Sequence, residues 1–382
     1  MKKTLVMAMA AVCMMASCKK TPLPTPEDQT PVAVEFSTNR IDATVSQTKA
    51  PVTTWNGEKL HIYGFQVNRG TDGTQIDLGD GRYTFDSPFI NNVQADAPMG
   101  GGSDINVYRT GTEPYYYSIN TNDVYDFYGY YYGDANLGTV TMNDDAISYP
   151  VTITGTQDLM YATTDKNADV ADATHGNTVA THQAYGAWAA RRGVHPTLNF
   201  KHALSQFKFS VKRGVGGYTG DLTIKSIDIV TPTQGTFTVV GETLGFVETP
   251  DASGTQKVTT TTSPGLTLNK ASEGQAASVF GNPLMIGPGK TSIKVVVTMQ
   301  ATDYTAGSGA SNNEITHEMT IQSAALTGTG ATTDMFKEGY SYDVTLIVYG
   351  PEQVKFDVNL ADWTPGGTLE FDPDNGVVGP EA

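Results

Sequence analysis

The chain has 382 residues, of which 17% are charged, and its formal net charge is −16. This acidic balance argues against a nucleic-acid-binding protein, because such proteins present basic residues that neutralise phosphates. Forty glycines and nineteen tyrosines favour strands and tight turns. Without its leader the chain would keep about 350 residues, which predicts two domains at about 150 residues each.

The N-terminus predicts a lipoprotein leader. Two lysines precede a short apolar stretch at 5–15, which is too short to span a bilayer as a helix. The next residues complete "MASC" (residues 15–18), which resembles a bacterial lipobox. We therefore expect residues 1–17 to be a signal peptide and Cys18 to be acylated. The alternative is an ordinary cleavable signal, with Cys18 incidental. Cys13 would be discarded, so the mature chain would have no intramolecular disulfide.

A spacer and a short apolar strand follow the leader. Residues 18–31 are rich in Pro, Thr and Glu, which predicts an extended linker. In "VAVEF", Val32, Val34 and Phe36 alternate, so a strand would place them on one face.

The rest of the chain alternates between apolar and polar residues far more than it shows helical periodicity. The segment "KLHIYGFQV" (59–67) alternates: Leu60, Ile62 and Gly64 lie on one face of a strand, opposite His61, Tyr63 and Phe65. Further strands are predicted at 124–132, 148–155, 197–212 (interrupted near Ser205), 222–230 (with a bulge at Ser226), 292–300, 341–350 and 353–363. The Ala-rich segment 167–193 predicts a long loop with one helical turn.

Short strands with frequent turn signals predict an all-β fold of two β-sandwich domains. We place the domain boundary near Gly193, which gives an N-terminal domain at 32–193 and a C-terminal domain at 194–382.

No motif predicts an enzyme, a cofactor or a metal site. The histidine pairs His175/His182 and His195/His202 lie in predicted loop and strand, so they do not share a helix face that could bind zinc. The segments "DLGDG" (77–81) and "DPDNG" (372–376) are similar to calcium loops but lack the closing Glu. The tyrosines at 115–117 and 125–132 fit core packing better than sugar stacking, and the second use stays open.

An ordered series of segments resembles the fimbrillin family, the lipoprotein subunits of type V pili in Bacteroides-type bacteria. The segments are "TKA" (48–50), "WNGE" (55–58), "YDFYGYYYGD" (125–134), "GTQDLMYA" (155–162), "LNFKHALSQFKFSV" (198–211), "PLMIGPG" (283–289), "EGYSYDVTLIV" (338–348) and "LADWTPGG" (360–367). The resemblance implies two tandem transthyretin-like β-sandwiches and no catalytic activity.

The resemblance also implies a life cycle. A precursor anchored in the outer membrane by a palmitate-type lipid on Cys18 would be cut by a trypsin-like surface protease. The cut would fall after Lys49, which matches the family's basic position, or after the alternative, Arg40. It would remove the strand that carries Val32, Val34 and Phe36, and a strand from a neighbour would fill the groove. We expect the tail to be that donor, through Leu369, Phe371, Val377 and Val378.

The expected partners follow from this scheme. They are copies of the chain, other pilus subunits, membrane lipid, the protease and a host or bacterial surface receptor, with no nucleic acid. The precursor would reside at the outer membrane and the mature subunit in the fimbrium. The alternative function is a monomeric glycan-binding or adhesin lipoprotein, including a pilus tip subunit.

Overall fold

The computed structural model describes residues 31–38, 55–67, 88–99, 104–119, 123–143, 146–164, 185–191, 195–216, 218–302, 314–325, 335–361, 371–372 and 376–377. Strands dominate these segments, which confirms the predicted all-β fold. In this part of the chain no helix has the length and apolar character needed to cross a membrane.

The strands of the first half are β1 (Glu35–Thr38), β2 (Lys59–Val67), β3 (Ile90–Asp96), β4 (Asp104–Asn106), β5 (Tyr108–Thr110), β6 (Glu113–Pro114), β7 (Val124–Tyr131), β8 (Asn136–Leu137), β9 (Thr141–Met142), β10 (Ala146–Thr152), β11 (Met160–Thr163) and β12 (Tyr185–Gly186). A single helical turn, α1 (Ala187–Ala190), follows β12 within the segment where the sequence predicts one.

The strands of the second half are β13 (Thr197–Leu198), β14 (Lys201–His202), β15 (Ser205–Arg213), β16 (Leu222–Val230), β17 (Gln234–Gly241), β18 (Gly245–Glu248), β19 (Lys257–Leu268), β20 (Ser278–Ile286), β21 (Ser292–Ala301), β22 (Glu314–Gln322), β23 (Ser341–Gly350), β24 (Gln353–Ala361), β25 (Phe371–Asp372) and β26 (Gly376–Val377). Two 3₁₀ turns lie at Lys270–Ser272 and Ser323–Ala325.

A central sheet organises the first half. Its strand order is β14-β11-β7-β2-β3, and β12 also pairs with β7. Side chains alternate across it, as strand geometry requires. On β7, Tyr125 and Phe127 join one buried cluster, whereas Tyr128 and Tyr130 join another on the opposite face. The sheet is therefore buried on both faces, which explains the dense aromatic run of β7.

A different layer covers each face of the central sheet. The small sheet β13-β1-β4 shares the first cluster, which we call the front core. The sheet β18-β17-β10-β8 shares the second cluster, which we call the back core. Gly129 of β7 lies on the front side, where an added Cβ would approach the Phe200 ring to 2.8 Å. A glycine at this position lets the ring pack directly on the sheet.

The C-terminal part forms a β-sandwich with its own core. One sheet has the order β20-β15-β23-β24 and the other the order β19-β16-β21-β22. Phe207, Phe209 and Val211 of β15 point into the cluster between them, as the sequence predicts. The register of β16 shifts between Ile224 and Ser226, which confirms the predicted bulge.

The two halves meet in the back layer. The hairpin β17–β18, from the second half, pairs with β10 of the first half over seven residue pairs that run from Ala146↔Gly241 to Thr152↔Gln234. The boundary near Gly193 stays a prediction, and this sheet joins strands from both sides of it.

Candidate functional site: the strand β1 and its groove

The terminal strand β1 lies between two partners. It runs antiparallel to β4, with Phe36 opposite Ile105, and parallel to β13, with Thr38 opposite Leu198. Just before β1, the Val34 amide donates a hydrogen bond to the Tyr115 carbonyl at 2.7 Å, and the Tyr117 amide donates to the Val32 carbonyl at 2.9 Å. Strand β1 is therefore the middle strand of its layer, and residues 32–34 extend it along the segment 115–117.

The side chains of this strand alternate as the sequence predicts. Val34 and Phe36 are each 1% exposed, Val32 is partly buried against the front core, and Glu35 faces solvent. The Phe36 ring meets the Phe127 ring edge-on, with centroids 4.8 Å apart. Such an aromatic pair stabilises the contact in addition to the burial of apolar area.

Removal of β1 would leave an apolar groove in the front layer. Buried residues of the same cluster form its surroundings: Leu60, Ile62, Ile105, Val107, Tyr117, Tyr125, Phe127, Ala187, Leu198 and Phe200. The backbone edges of β4 and β13 would lose their partners at the same time. The front layer would thus offer both an apolar surface and unpaired peptide groups, the two features that a replacement strand satisfies.

The electrostatics around β1 are mild. Glu35 lies 3.6 Å from Nδ1 of His195, and both side chains are about half exposed. Behind the strand, Arg191 Nη1 donates to the Ser118 carbonyl at 3.1 Å, and the Ser118 amide donates to the Tyr125 hydroxyl at 2.9 Å. Burial raises the pKa of Tyr125. Apolar burial therefore dominates the seating of β1.

The tyrosine clusters serve mainly the core. Tyr130 donates to Asn92 Oδ1 at 2.8 Å and lies 3.2 Å from the Tyr149 hydroxyl, which is 3.0 Å from that of Tyr63. Burial raises the pKa of Tyr63 and of Tyr130, so both hydroxyls stay protonated and neutral. Of the tyrosines at 115–117, Tyr116 is 43% exposed.

The remaining predicted site residues lie mostly elsewhere. Cys18, Arg40, Lys49, Leu369 and Val378 are outside the described residues. Phe371 and Val377 are described as backbone: they are opposite each other in the two-stranded pair β25–β26, which pairs with no further strand in the described part.

The histidines and acidic residues form no metal centre within the described ranges. His202 Nδ1 lies 2.9 Å from Asp158 Oδ1, and both residues are buried. His195 lies beside Glu35 on the surface, and His175 and His182 are outside the described residues.

Sequence reasoning did not identify β4 as a wall of the groove. Strand β4 has three residues, "DIN", which carry too little alternation to be recognised. Strand β13 lies within the predicted strand 197–212, but the sequence did not indicate that it pairs with β1. Ile105, flanked by two exposed residues, was the one available signal.

The sequence matches the fimbrillin-like family over residues 48–363. This chain belongs to the fimbrillin-like family. On this membership, the chain is a pilus or adhesin subunit at the cell surface. The match begins after β1 and ends before β25. No curated protein matches the chain.

The chain is also similar to solved structures from Bacteroides and Parabacteroides species. A proposed cell adhesion protein of Bacteroides uniformis has 15% identity and a TM-score of 0.47, over 88% of the fimbrillin-like chain and 99% of its own. Another from Parabacteroides distasonis has 13% identity and a TM-score of 0.48, over 89% and 99%. A fimbrial assembly protein of the same species has 9% identity and a TM-score of 0.36, over 87% and 99%.

Proposed function

We propose that this chain is a pilus subunit that polymerises by donor-strand exchange after proteolytic removal of β1. One observation supports this most: an interior strand of the front layer is supplied by a terminal segment, and two basic residues, Arg40 and Lys49, follow it before the next described strand. A cut after either residue would separate β1 from the rest of the chain.

The free energy that holds β1 in the front layer is small enough for another strand to replace it. Full burial of Val34 and Phe36 contributes about 3–6 kcal/mol, at about 1.5–3 kcal/mol for each side chain. Once the covalent link is cut, the strand competes with any neighbour's segment of similar pattern. The family match begins at residue 48, so β1 lies outside the matched region.

The precursor's lipid anchor is the first step of the same scheme. Cys18→Ala would leave the chain without acyl lipid, and it would be released from the outer membrane and absent from fibres. Metabolic labelling with a fatty acid measures this directly. Label retained by the variant would contradict the assignment of Cys18.

A disulfide that holds β1 in place tests strand removal. Glu35 and Asn106 are direct partners across β1 and β4, and both are exposed. Opposed residues of antiparallel strands have Cα atoms about 4.5–5.5 Å apart, within the range a disulfide requires. We therefore expect Glu35→Cys with Asn106→Cys to keep β1 attached after cleavage. The protein tested is the precursor without residues 1–17, and it also carries Cys18→Ala.

The measurement is the ladder of denaturant-resistant multimers after limited trypsin treatment. We expect no ladder from the oxidised double variant and a normal ladder after reduction, whereas the single Glu35→Cys variant gives a ladder in both conditions. A ladder from the oxidised variant, with cleavage verified by mass spectrometry, would rule out strand removal. The mature N-terminus seen in the same spectra decides between Lys49 and Arg40.

A second candidate is a monomeric adhesin or tip subunit that binds glycans. Tyr108 and Tyr116 support it, because they are 44% and 43% exposed and offer ring faces to a sugar. This candidate predicts that the processed chain stays monomeric and that Tyr108→Ala with Tyr116→Ala abolishes binding on a glycan array.

A further inference from the structure

A dipeptide of β1 recurs in the tail. The dipeptide Glu-Phe occurs twice in the chain, once in "AVEFS" (33–37) and once in "TLEFD" (368–372). Each is preceded by an aliphatic residue, which gives "VEF" and "LEF". The tail therefore presents an aliphatic residue, an acid and a phenylalanine in the order in which β1 presents them.

The structure shows what each of these positions does in β1. Val34 is buried in the front core, Glu35 faces solvent 3.6 Å from His195, and Phe36 is buried edge-on against Phe127. A strand that carries leucine, glutamate and phenylalanine in the same order would satisfy all three environments. It would keep the acid in water, where an unpaired charge costs least.

We propose, on the basis of the proposed function, that the tail of a neighbouring copy enters the groove in the register and direction of β1. Leu369 takes the place of Val34, Glu370 that of Glu35 and Phe371 that of Phe36. The donor then runs antiparallel to β4 and parallel to β13. The site that Phe36 occupies against the Phe127 ring, which we call the aromatic pocket, selects an aromatic donor residue.

The other apolar residues of the tail fit less well. Val377 and Val378 are adjacent in sequence, so a strand turns them to opposite faces. They cannot both replace Val34 and Phe36, which lie two residues apart. Within one chain, Phe371 is opposite Val377 in the pair β25–β26. The front layer of the same chain consists of β13, β1 and β4, so β25 is not one of its strands.

Pairs of cysteines measure this register. The Cα partners of Glu35 and Ser37 on β4 are Asn106 and Asp104. In a Cys18→Ala background, the pairs Glu370→Cys/Asn106→Cys and Asp372→Cys/Asp104→Cys should therefore form disulfides between subunits after trypsin treatment. Two control pairs report other geometries. Glu370→Cys/Asp104→Cys reports a shift of two residues, or a reversed strand with Phe371 still opposite Ile105. Thr368→Cys/Asp104→Cys reports a reversed strand with Glu370 opposite Asn106.

We expect about tenfold more cross-linked dimer from the first two pairs than from the controls, because disulfides require closely opposed Cα atoms. Multimers in which a control pair cross-links, or in which no pair does, would overturn the register and leave strand exchange intact. A fully processed chain that forms no multimers would overturn the proposed function together with this inference.

The pocket has a separate readout. Phe371→Ala should lower the yield of resistant multimers by about tenfold, because a buried phenylalanine is a large share of such a contact. The control Val378→Ala should change the yield less than twofold. Phe127→Ala in the acceptor, mixed with unchanged donor, should show the same loss as Phe371→Ala. Equal yields from Phe371→Ala and the unaltered chain would show that the aromatic pocket does not select the donor.

Discussion

The two faces of the central sheet are buried in different ways. On the front, β1 pairs with β4 over three residues and with β13 over two. On the back, β10 and β17 pair over seven residues and the hairpin β17–β18 extends the layer. The front layer therefore holds its middle strand through shorter pairings than those of the back layer, and under the proposed function it is the front layer that would lose a strand.

This difference assigns separate roles to the two cores. Under the proposed function, the front core would exchange its covering strand, and the back core would keep the central sheet folded while the exchange occurs. Further contacts tie the back of the sheet to the second half: the Tyr161 hydroxyl donates to Glu338 Oε1 at 2.7 Å, and the Met285 amide donates to the Gly155 carbonyl at 2.8 Å. The two halves thus support each other through the back core.

The largest expected effect comes from separating the halves. A chain of residues 32–193 lacks β13 and the hairpin β17–β18, so the back core would lose Phe237 and Phe246. We expect no cooperative unfolding transition by circular dichroism. A peptide covering 231–250 should restore part of the transition if loss of the back layer is the main cause. A cooperative transition from 32–193 alone would instead support an independent domain with its boundary near Gly193.

A substitution within the back core should act on every form of the protein. Phe237 is fully buried and pairs with Tyr149 across β10 and β17. Phe237→Ala should lower the free energy of unfolding by about 3–5 kcal/mol, as is typical of buried phenylalanines. Urea unfolding of the precursor and of the trypsin-processed chain should show similar losses. A loss confined to the precursor would contradict the role of the back core.

The corresponding substitution in the front core should act on the precursor alone. Phe36→Ala should destabilise the precursor by up to about 3–5 kcal/mol. After processing, the chain no longer contains residue 36, so its stability and that of its multimers should equal those of the unaltered protein. We also expect faster appearance of multimers, since the strand leaves more easily. A lasting defect in processed multimers would mean that β1 stays in the assembly.

The long strands could be predicted from the sequence because alternation continues over many residues. Strands β2, β16, β21 and β23 each have nine or ten residues, and all four coincide with predicted segments. The strand at β1 could also be predicted, although β1 has only four residues. The reason is that the acidic residue Glu35 separates the apolar residues Val34 and Phe36. The strand predicted across 197–212 is divided just before Ser205, next to the predicted interruption, since Ala203 and Leu204 leave the ladder and pack in the back core.

Other features depend on contacts that a local pattern does not contain. The pairing of β10 with β17 joins segments about ninety residues apart, and alternation does not specify a partner. The Asn92 position is similar: its backbone adopts φ 51°, and the β2–β3 register shifts between Ile62 and Gly64. At this bulge the Asn92 side chain reaches Tyr130 and His61. The adjacent residues Asn91 and Asn92 in the sequence give no indication of these contacts.

The smallest expected effect is a pH dependence that arises on the back side. Nδ1 of His61 lies 3.1 Å from Asn92 Oδ1, and its ring stacks on Tyr130 with centroids 5.0 Å apart. Burial lowers the pKa of His61 below 6.5, and the hydrogen bond to Asn92 opposes this in part. As pH falls below about 6.5, the unfolded chain gains a proton at this position before the folded chain does, so the folded state loses stability.

His61→Gln should reduce this dependence, because an amide can keep the contact with Asn92 and does not titrate. The urea midpoints of the precursor and of His61→Gln, each taken as a change from its own value at pH 8, should separate between pH 7 and pH 5, with the larger fall in the unaltered chain. Parallel profiles would assign the pH dependence to other groups. Since the back core is present before and after strand exchange, the same separation should appear in the processed chain. A separation confined to the precursor would mean that loss of β1 alters the back face of the sheet as well, and the two cores would then be coupled.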